Sequence, residues 1–153
     1  MEIVHYVQWI YELLRDGKIK IDPAKKIKEP VTYQDPCNVS RNGGLWDEPR
    51  KIISYLCEDF RDMNPNKDYN HCCGGGGGIM PMGPDYRPGR MITGKVKADQ
   101  IKATGAKIVI SPCHNCFDQI RDLGEKYELG IKLVSFKELL LETMIIPENF
   151  KVE

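Results

Sequence analysis

No apolar run in these 153 residues is long enough to cross a bilayer, and the N-terminus lacks the basic flank, unbroken apolar stretch and small-residue cleavage site of a secretory signal. The first absence excludes a membrane-spanning helix and the second an export signal, so a cytoplasmic location is expected. Charge of one sign is missing too: 22 Lys and Arg balance 22 Asp and Glu, and no basic stripe alternates with aromatics. Nothing resembles a phosphate-backbone footprint, and nucleic acid is not an expected partner. No period signals a solenoid. Nucleotide loops fail as well. The glycine run 74–78 is followed by Ile79 and Met80 where Gly-x-Gly-x-x-Gly needs a further glycine, and the P-loop spacing from Gly89 to Lys95 meets Val96 where a hydroxyl is required.

What is present is length enough for one domain that removes roughly two thirds of its unfolded surface from water, and six cysteines. A chain of this size needs no disulfides to fold, and in a reducing compartment such cysteines read as metal ligands or redox groups. Cys72 and Cys73 are adjacent. Neighbouring Cα atoms lie about 3.8 Å apart, too close for an unstrained disulfide, so the pair reads as two ligands.

The apolar spacing predicts alternating helices and strands. Val4, Val7, Ile10, Tyr11 and Leu14 recur at helical spacing before a stop at Asp16-Gly17, and this helix is expected to pack on a sheet. Val31-Thr32-Tyr33 reads as a strand ending at Asp35-Pro36-Cys37. Asp47 is placed as the cap of a helix with Pro49 in its first turn and Ile52, Ile53, Leu56, Cys57 and Phe60 on its buried face. A helix over Ile92–Thr104 with Gly105 as a left-handed cap leads to a strand, Lys107–Ile110, that ends at Ser111-Pro112-Cys113. A helix from Asn115 buries Cys116, Ile120, Leu123 and Tyr127. A strand over Ile131–Val134 then meets a capping box, Ser135 with Glu138, that opens the last helix, through Met144. The expected fold class is α/β: one Rossmann-like layered domain over 1–153 with short, mostly parallel strands, whose ligands bind beyond the carboxyl ends of the strands. Both strand-Pro-Cys units end there.

Cys37, Cys72, Cys73, Cys113 and Cys116 follow the spacing Cys-x34-Cys-Cys-x39-Cys-x2-Cys. A tetrahedral zinc takes four ligands and would be cramped by two consecutive ones, whereas a multi-iron cluster spreads adjacent thiolates over separate irons; five thiols favour iron. Cys113 and Cys116 straddle a helix start, where free N–H groups favour anionic sulfur. Gly74–Gly78 has no Cβ atoms, so its backbone can approach a cluster and aim N–H groups at sulfur. Cys57, on an apolar helix face, reads as a small hydrophobe and not a ligand. His71 and His114, beside ligand positions, read as hydrogen-bonding neighbours in preference to proton donors, and His5 as surface. Arg41, Arg87, Arg90 and Lys95 flank the cysteine segments as candidate anion-steering groups without an assigned role. No catalytic residue is assigned.

Asp35-Pro36-Cys37, Cys72-Cys73-Gly74 and Pro112-Cys113-His114-Asn115-Cys116 together resemble the cysteine-rich CCG domain over roughly residues 31–141. That domain occurs in heterodisulfide reductases, in membrane-complex subunits of sulfate reducers, and in glycolate and lactate oxidation proteins. The resemblance implies that all five cysteines hold a non-cubane four-iron, four-sulfide (4Fe-4S) cluster, which in the reductases cleaves a disulfide in two one-electron steps. Oxidoreductase activity of the heterodisulfide-reductase type is therefore the expectation. An electron relay without substrate chemistry and a structural zinc module are the alternatives. The ferredoxin-type run Cys-x2-Cys-x2-Cys-x3-Cys-Pro is missing. Electrons are then expected from a ferredoxin-like iron-sulfur protein or domain, supplied by a partner or by a longer subunit of which this chain is a part. Attachment to a membrane complex through such partners is implied by the same resemblance.

Overall fold

A computed structural model describes residues 3–147, so the ends of the expected 1–153 domain lie outside the described residues. Five α-helices and three strands alternate among those residues: α1 (Tyr6–Arg15), β1 (Val31–Tyr33), α2 (Asp47–Leu56), α3 (Arg87–Thr104), β2 (Ile108–Ile110), α4 (His114–Lys126), β3 (Lys132–Val134) and α5 (Phe136–Thr143). The strands form one parallel sheet in the order β1-β2-β3, with Val31, Thr32 and Tyr33 opposite Ile108, Val109 and Ile110, and these opposite Lys132, Leu133 and Val134. The α/β class is as the alternation predicts.

The period of two along each strand divides the core between two faces. Val31, Tyr33, Ile108, Ile110 and Val134 point into one apolar cluster with Val7, Ile10 and Leu14 of α1, Ile52, Ile53 and Leu56 of α2, and Phe136 and Leu139 of α5. Val109 points the other way, toward Ile101 of α3, Ile120 of α4, Met63, Cys73 and Cys116. β1 and β2 are buried at every residue, which is why they read as unbroken apolar or β-branched runs. Lys132 at the sheet's edge is exposed. Each fully buried Ile or Leu contributes about 1.5–3 kcal/mol of transfer free energy, so this two-sided burial holds the strand ends firmly.

Most helix boundaries follow their local chemistry. Gly105 caps α3 at φ +65°, and Ser135 and Glu138 form the reciprocal capping box of α5. Elsewhere the structure departs from expectation. Asp47 is the first residue of α2 and not its cap: Trp46 occupies the cap position without a side-chain bond, and Asp47 with Glu48 instead puts negative charge in the first turn. Cys57 and Phe60 lie past the end of that helix, in extended chain bridged to Ile27 and Val31. α3 begins five residues earlier than the apolar pattern suggests, because Pro88 in the first turn favours a helix start that periodicity cannot register. His5 is exposed, as expected, and in addition its Nδ1 accepts the Val7 N–H (3.2 Å) and caps α1.

Candidate functional site

β1 and β2 run parallel and end at one edge of the sheet, and beyond each end a proline precedes a cysteine, Cys37 and Cys113. α4 starts directly at His114 with Cys113 as its cap residue, which places Cys116 in the helix's first turn. The loop after a 3-10 turn at Lys67–Tyr69 brings Cys72 and Cys73 across to the same edge. All five cysteines, 37, 72, 73, 113 and 116, line one cavity of about 380 Å³. A larger depression of about 740 Å³, lined by Trp9, Phe117 and Leu141, reaches one of the five, Cys113.

The six cysteines are free thiols. Among the described residues no group of three or more His, Cys, Asp or Glu side chains is drawn together as a site for one metal ion; the thiols are spread around the cavity wall. Cys73 and Cys116 are buried, with their sulfurs 3.2 Å apart, while Cys37 and Cys113 are half-buried and Cys72 is exposed. Hydrogen bonds from the Cys116 and Cys72 thiols, joined by the Gly75 N–H and the nearby Lys97, pull the Cys73 thiol down to about 3. A hydrogen bond from the Cys116 thiol, then the N–H groups of Cys116 and Asn115 at the start of α4, lower Cys113 to about 6. Cys72 and Cys116 are pushed up, because their protons serve those anionic neighbours. The site favours anionic sulfur at two points and supplies further thiols beside them. It is suited to soft metal. Cys57 sits elsewhere, and burial raises its thiol to about 12.

The glycine run does two separate things. Gly74 takes φ +87°, a conformation that favours glycine, and its N–H lies 3.3 Å from the Cys72 sulfur; the Gly75 N–H lies 3.4 Å from that of Cys73. At Gly75 a Cβ would come within 2.7 Å of the Gln119 Cβ and 2.8 Å of the Asn115 carbonyl oxygen, whereas at Gly76 it would meet nothing within 4 Å. Gly75→Ala is therefore expected to destabilise the chain by about 1–3 kcal/mol through overpacking. Gly76→Ala should stay within about 0.5 kcal/mol of the parent. Denaturant unfolding of the two cluster-free variants checks the difference, and equal effects would contradict it.

The walls of the site are tied by charged residues to which the sequence assigns no role. Arg41 donates to the Cys37 sulfur (3.1 Å) through one nitrogen and to the Asp68 and Asn70 carbonyls (3.1 and 2.5 Å) through the other, joining the loop after β1 to the segment before Cys72. Asp35, 2% exposed, accepts both arms of Arg50 (3.0 and 2.8 Å) and the Lys67 N–H (2.8 Å). Arg90 is buried and binds Gln119 and Asp122, locking α3 against α4 beneath the glycines. Arg87 pairs with Asp122 and Glu125, and Lys95 with Asp99. Of the four candidate steering residues, Arg41 is the one that hydrogen-bonds a cysteine among the described residues. His114 is exposed and faces Asp118 at 3.4 Å, and His71 is exposed; among the described residues neither hydrogen-bonds a cysteine.

Residues 31–121, more than half of the chain, match the family described as a cysteine-rich domain, CCG. The chain is 31% identical over 144 residues to a subunit of the dihydromethanophenazine:CoB–CoM heterodisulfide reductase of Methanosarcina mazei, covering 94% of this chain and 34% of that protein. It is 38% identical over 79 residues, 50% of this chain and 14% of the other, to the Hdr-like menaquinol oxidoreductase iron-sulfur subunit 2 of Archaeoglobus fulgidus. To a subunit of the fumarate reductase (CoM/CoB) of Methanothermobacter marburgensis it is 35% identical over 133 residues, 86% of this chain and 26% of that one. The chain thus spans about a third of the length of the heterodisulfide reductase subunits it matches.

Proposed function

This chain belongs to the cysteine-rich CCG domain family, and from that membership we propose that it is the iron-sulfur module of a heterodisulfide-reductase-like oxidoreductase. In this reading Cys37, Cys72, Cys73, Cys113 and Cys116 hold one non-cubane 4Fe-4S cluster. The observation that carries it is the single cavity lined by all five thiols. The donor set fits such a group: anionic sulfur is favoured at Cys73 and Cys113, Gly74 and Gly75 aim N–H groups at cysteine sulfur, and a side chain at Gly75 would collide with α4. When bound, the cluster would supply one-electron redox chemistry beside an open, partly exposed thiol wall.

The chain's own residues do the rest. Gly74 and Gly75 orient Cys72 and Cys73, the start of α4 favours anionic sulfur at Cys113, and Arg41 holds the Cys37 loop against the Cys72 segment. The proposed net reaction takes one disulfide, two electrons and two protons to two thiols, the electrons arriving singly from a ferredoxin-like iron-sulfur partner or domain. Subunits of a membrane complex are the proposed setting; no helix among the described residues is long and apolar enough to cross a membrane itself.

The test is substrate-dependent oxidation. Anaerobically reduced chain mixed with a disulfide of two small thiols should lose its reduced spectrum, with one disulfide consumed per two electrons. A reduced spectrum indifferent to disulfides would leave an electron relay in its place.

A further inference from the structure

α3 carries a buried cation beneath the cysteine cavity. Lys97 is 1% exposed, and its ammonium is 3.6 Å from the Met63 sulfur, a weak acceptor; among the described residues it forms no ion pair. Met63 packs in the same apolar cluster as Cys73 and Cys116. One turn before Lys97, Gly94 lies so close to the Cys73 segment that a Cβ there would sit 3.2 Å from the Cys73 carbonyl oxygen. The lysine thus lies on the helix face that underlies the double cysteine.

A compact, strongly hydrated ammonium is costly to bury without a partner. Burial lowers the Lys97 pKa to about 8, opposed chiefly by the negative charge of Cys73 and then of Asp35. Asp35 is already committed to Arg50 and the Lys67 N–H. The remaining counter-charge is cysteine sulfur, so the lysine is balanced by the cavity above it and not by the fold around it.

We propose that Lys97 is a positioning residue whose buried positive charge raises the reduction potential of the group held by Cys72, Cys73 and Cys116. The inference rests on the iron-sulfur reading given above. Each one-electron reduction adds negative charge, and a fixed positive charge in a low-dielectric interior favours the more negative state.

The experiment compares the full chain with Lys97→Met and Lys97→Gln, each reconstituted anaerobically. Iron and sulfide are measured, the midpoint potential is titrated, and the melting of the cluster-free chains is followed by circular dichroism. Both variants should keep the parent's iron and sulfide and should melt no lower than the parent. Both should show at least a tenfold shift of the reduction equilibrium toward the oxidised form, about 59 mV lower for one electron. An unchanged midpoint in iron-replete variants overturns the proposal. So does a variant that fails to fold, melts lower or folds without taking up iron, because Lys97 would then serve structure or assembly. A parent chain that holds no iron or sulfide overturns the cluster reading itself, which separates the two failures.

Discussion

Cys73→Ser is expected to leave the chain folded and to abolish its capacity for iron and sulfide. The Cys73 sulfur is buried, 3.2 Å from that of Cys116, and receives the Gly75 N–H, so it stands at the centre of the thiol group. A serine oxygen is smaller, harder and far less acidic, and it restores neither the sulfur contact nor the anionic charge. Replacing groups one shell further from a metal already costs roughly 10–100-fold in affinity, so losing this thiolate should exceed that. Iron and sulfide should fall from about four of each per chain to traces. Cys57→Ala is the matched control: Cys57 belongs to the apolar cluster on the other face of the sheet and does not line the cavity, and its removal should leave iron and sulfide unchanged. Equal retention by both variants, or loss from both, would contradict this division of the cysteines.

Arg50→Met is expected to cost about 3–5 kcal/mol of folding stability, the usual effect of breaking a buried pair from one side. Arg50 holds Asp35 with two bonds and Asp62 with two more, lies over the Tyr33 ring at 5.7 Å, and is 14% exposed against 2% for the Asp35 side chain. Methionine keeps the apolar length but leaves the Asp35 carboxylate with the Lys67 N–H as its remaining close partner. Asp35 lies two residues before Cys37, and Lys67 five before Cys72, so the same carboxylate aligns both approaches to the site. Denaturant unfolding of the cluster-free protein measures the loss. A change below about 1 kcal/mol would show the pair to behave like an exposed one.

Much of the fold was legible because burial repeats at short range. Val31-Thr32-Tyr33 and Ile108-Val109-Ile110 are covered on both faces, and such strands announce themselves as unbroken apolar or β-branched runs. The cysteines after them were legible for the same reason, since a strand that ends in Pro-Cys places that cysteine at the sheet's carboxyl edge. The Ser135–Glu138 box is local chemistry and appears as expected. Asp47 was misplaced because Asp serves equally as a cap and as a first-turn residue, and the position of Trp46 chose between them.

The supporting shell was not legible, because it depends on contacts between segments far apart in sequence. Arg41 meets Asp68 and Asn70 only once the loop after β1 has folded against the segment before Cys72. Asp35 finds Arg50 fifteen residues on and Lys67 thirty-two residues on. Lys97 carried a faint signal, falling three residues after Gly94 and four before Ile101 on the buried face of α3, but a lysine at such a position ordinarily bends its ammonium to water. Instead its ammonium meets the Met63 sulfur, thirty-four residues away in sequence, a contact no periodicity records.

The most direct measurement is iron, acid-labile sulfide and zinc per chain after anaerobic purification, read alongside the visible and EPR spectra. About four irons and four sulfides, with a brown colour that bleaches in oxygen, is the predicted result. One zinc and no sulfide in a colourless protein would contradict the account and leave the five cysteines as a structural metal site.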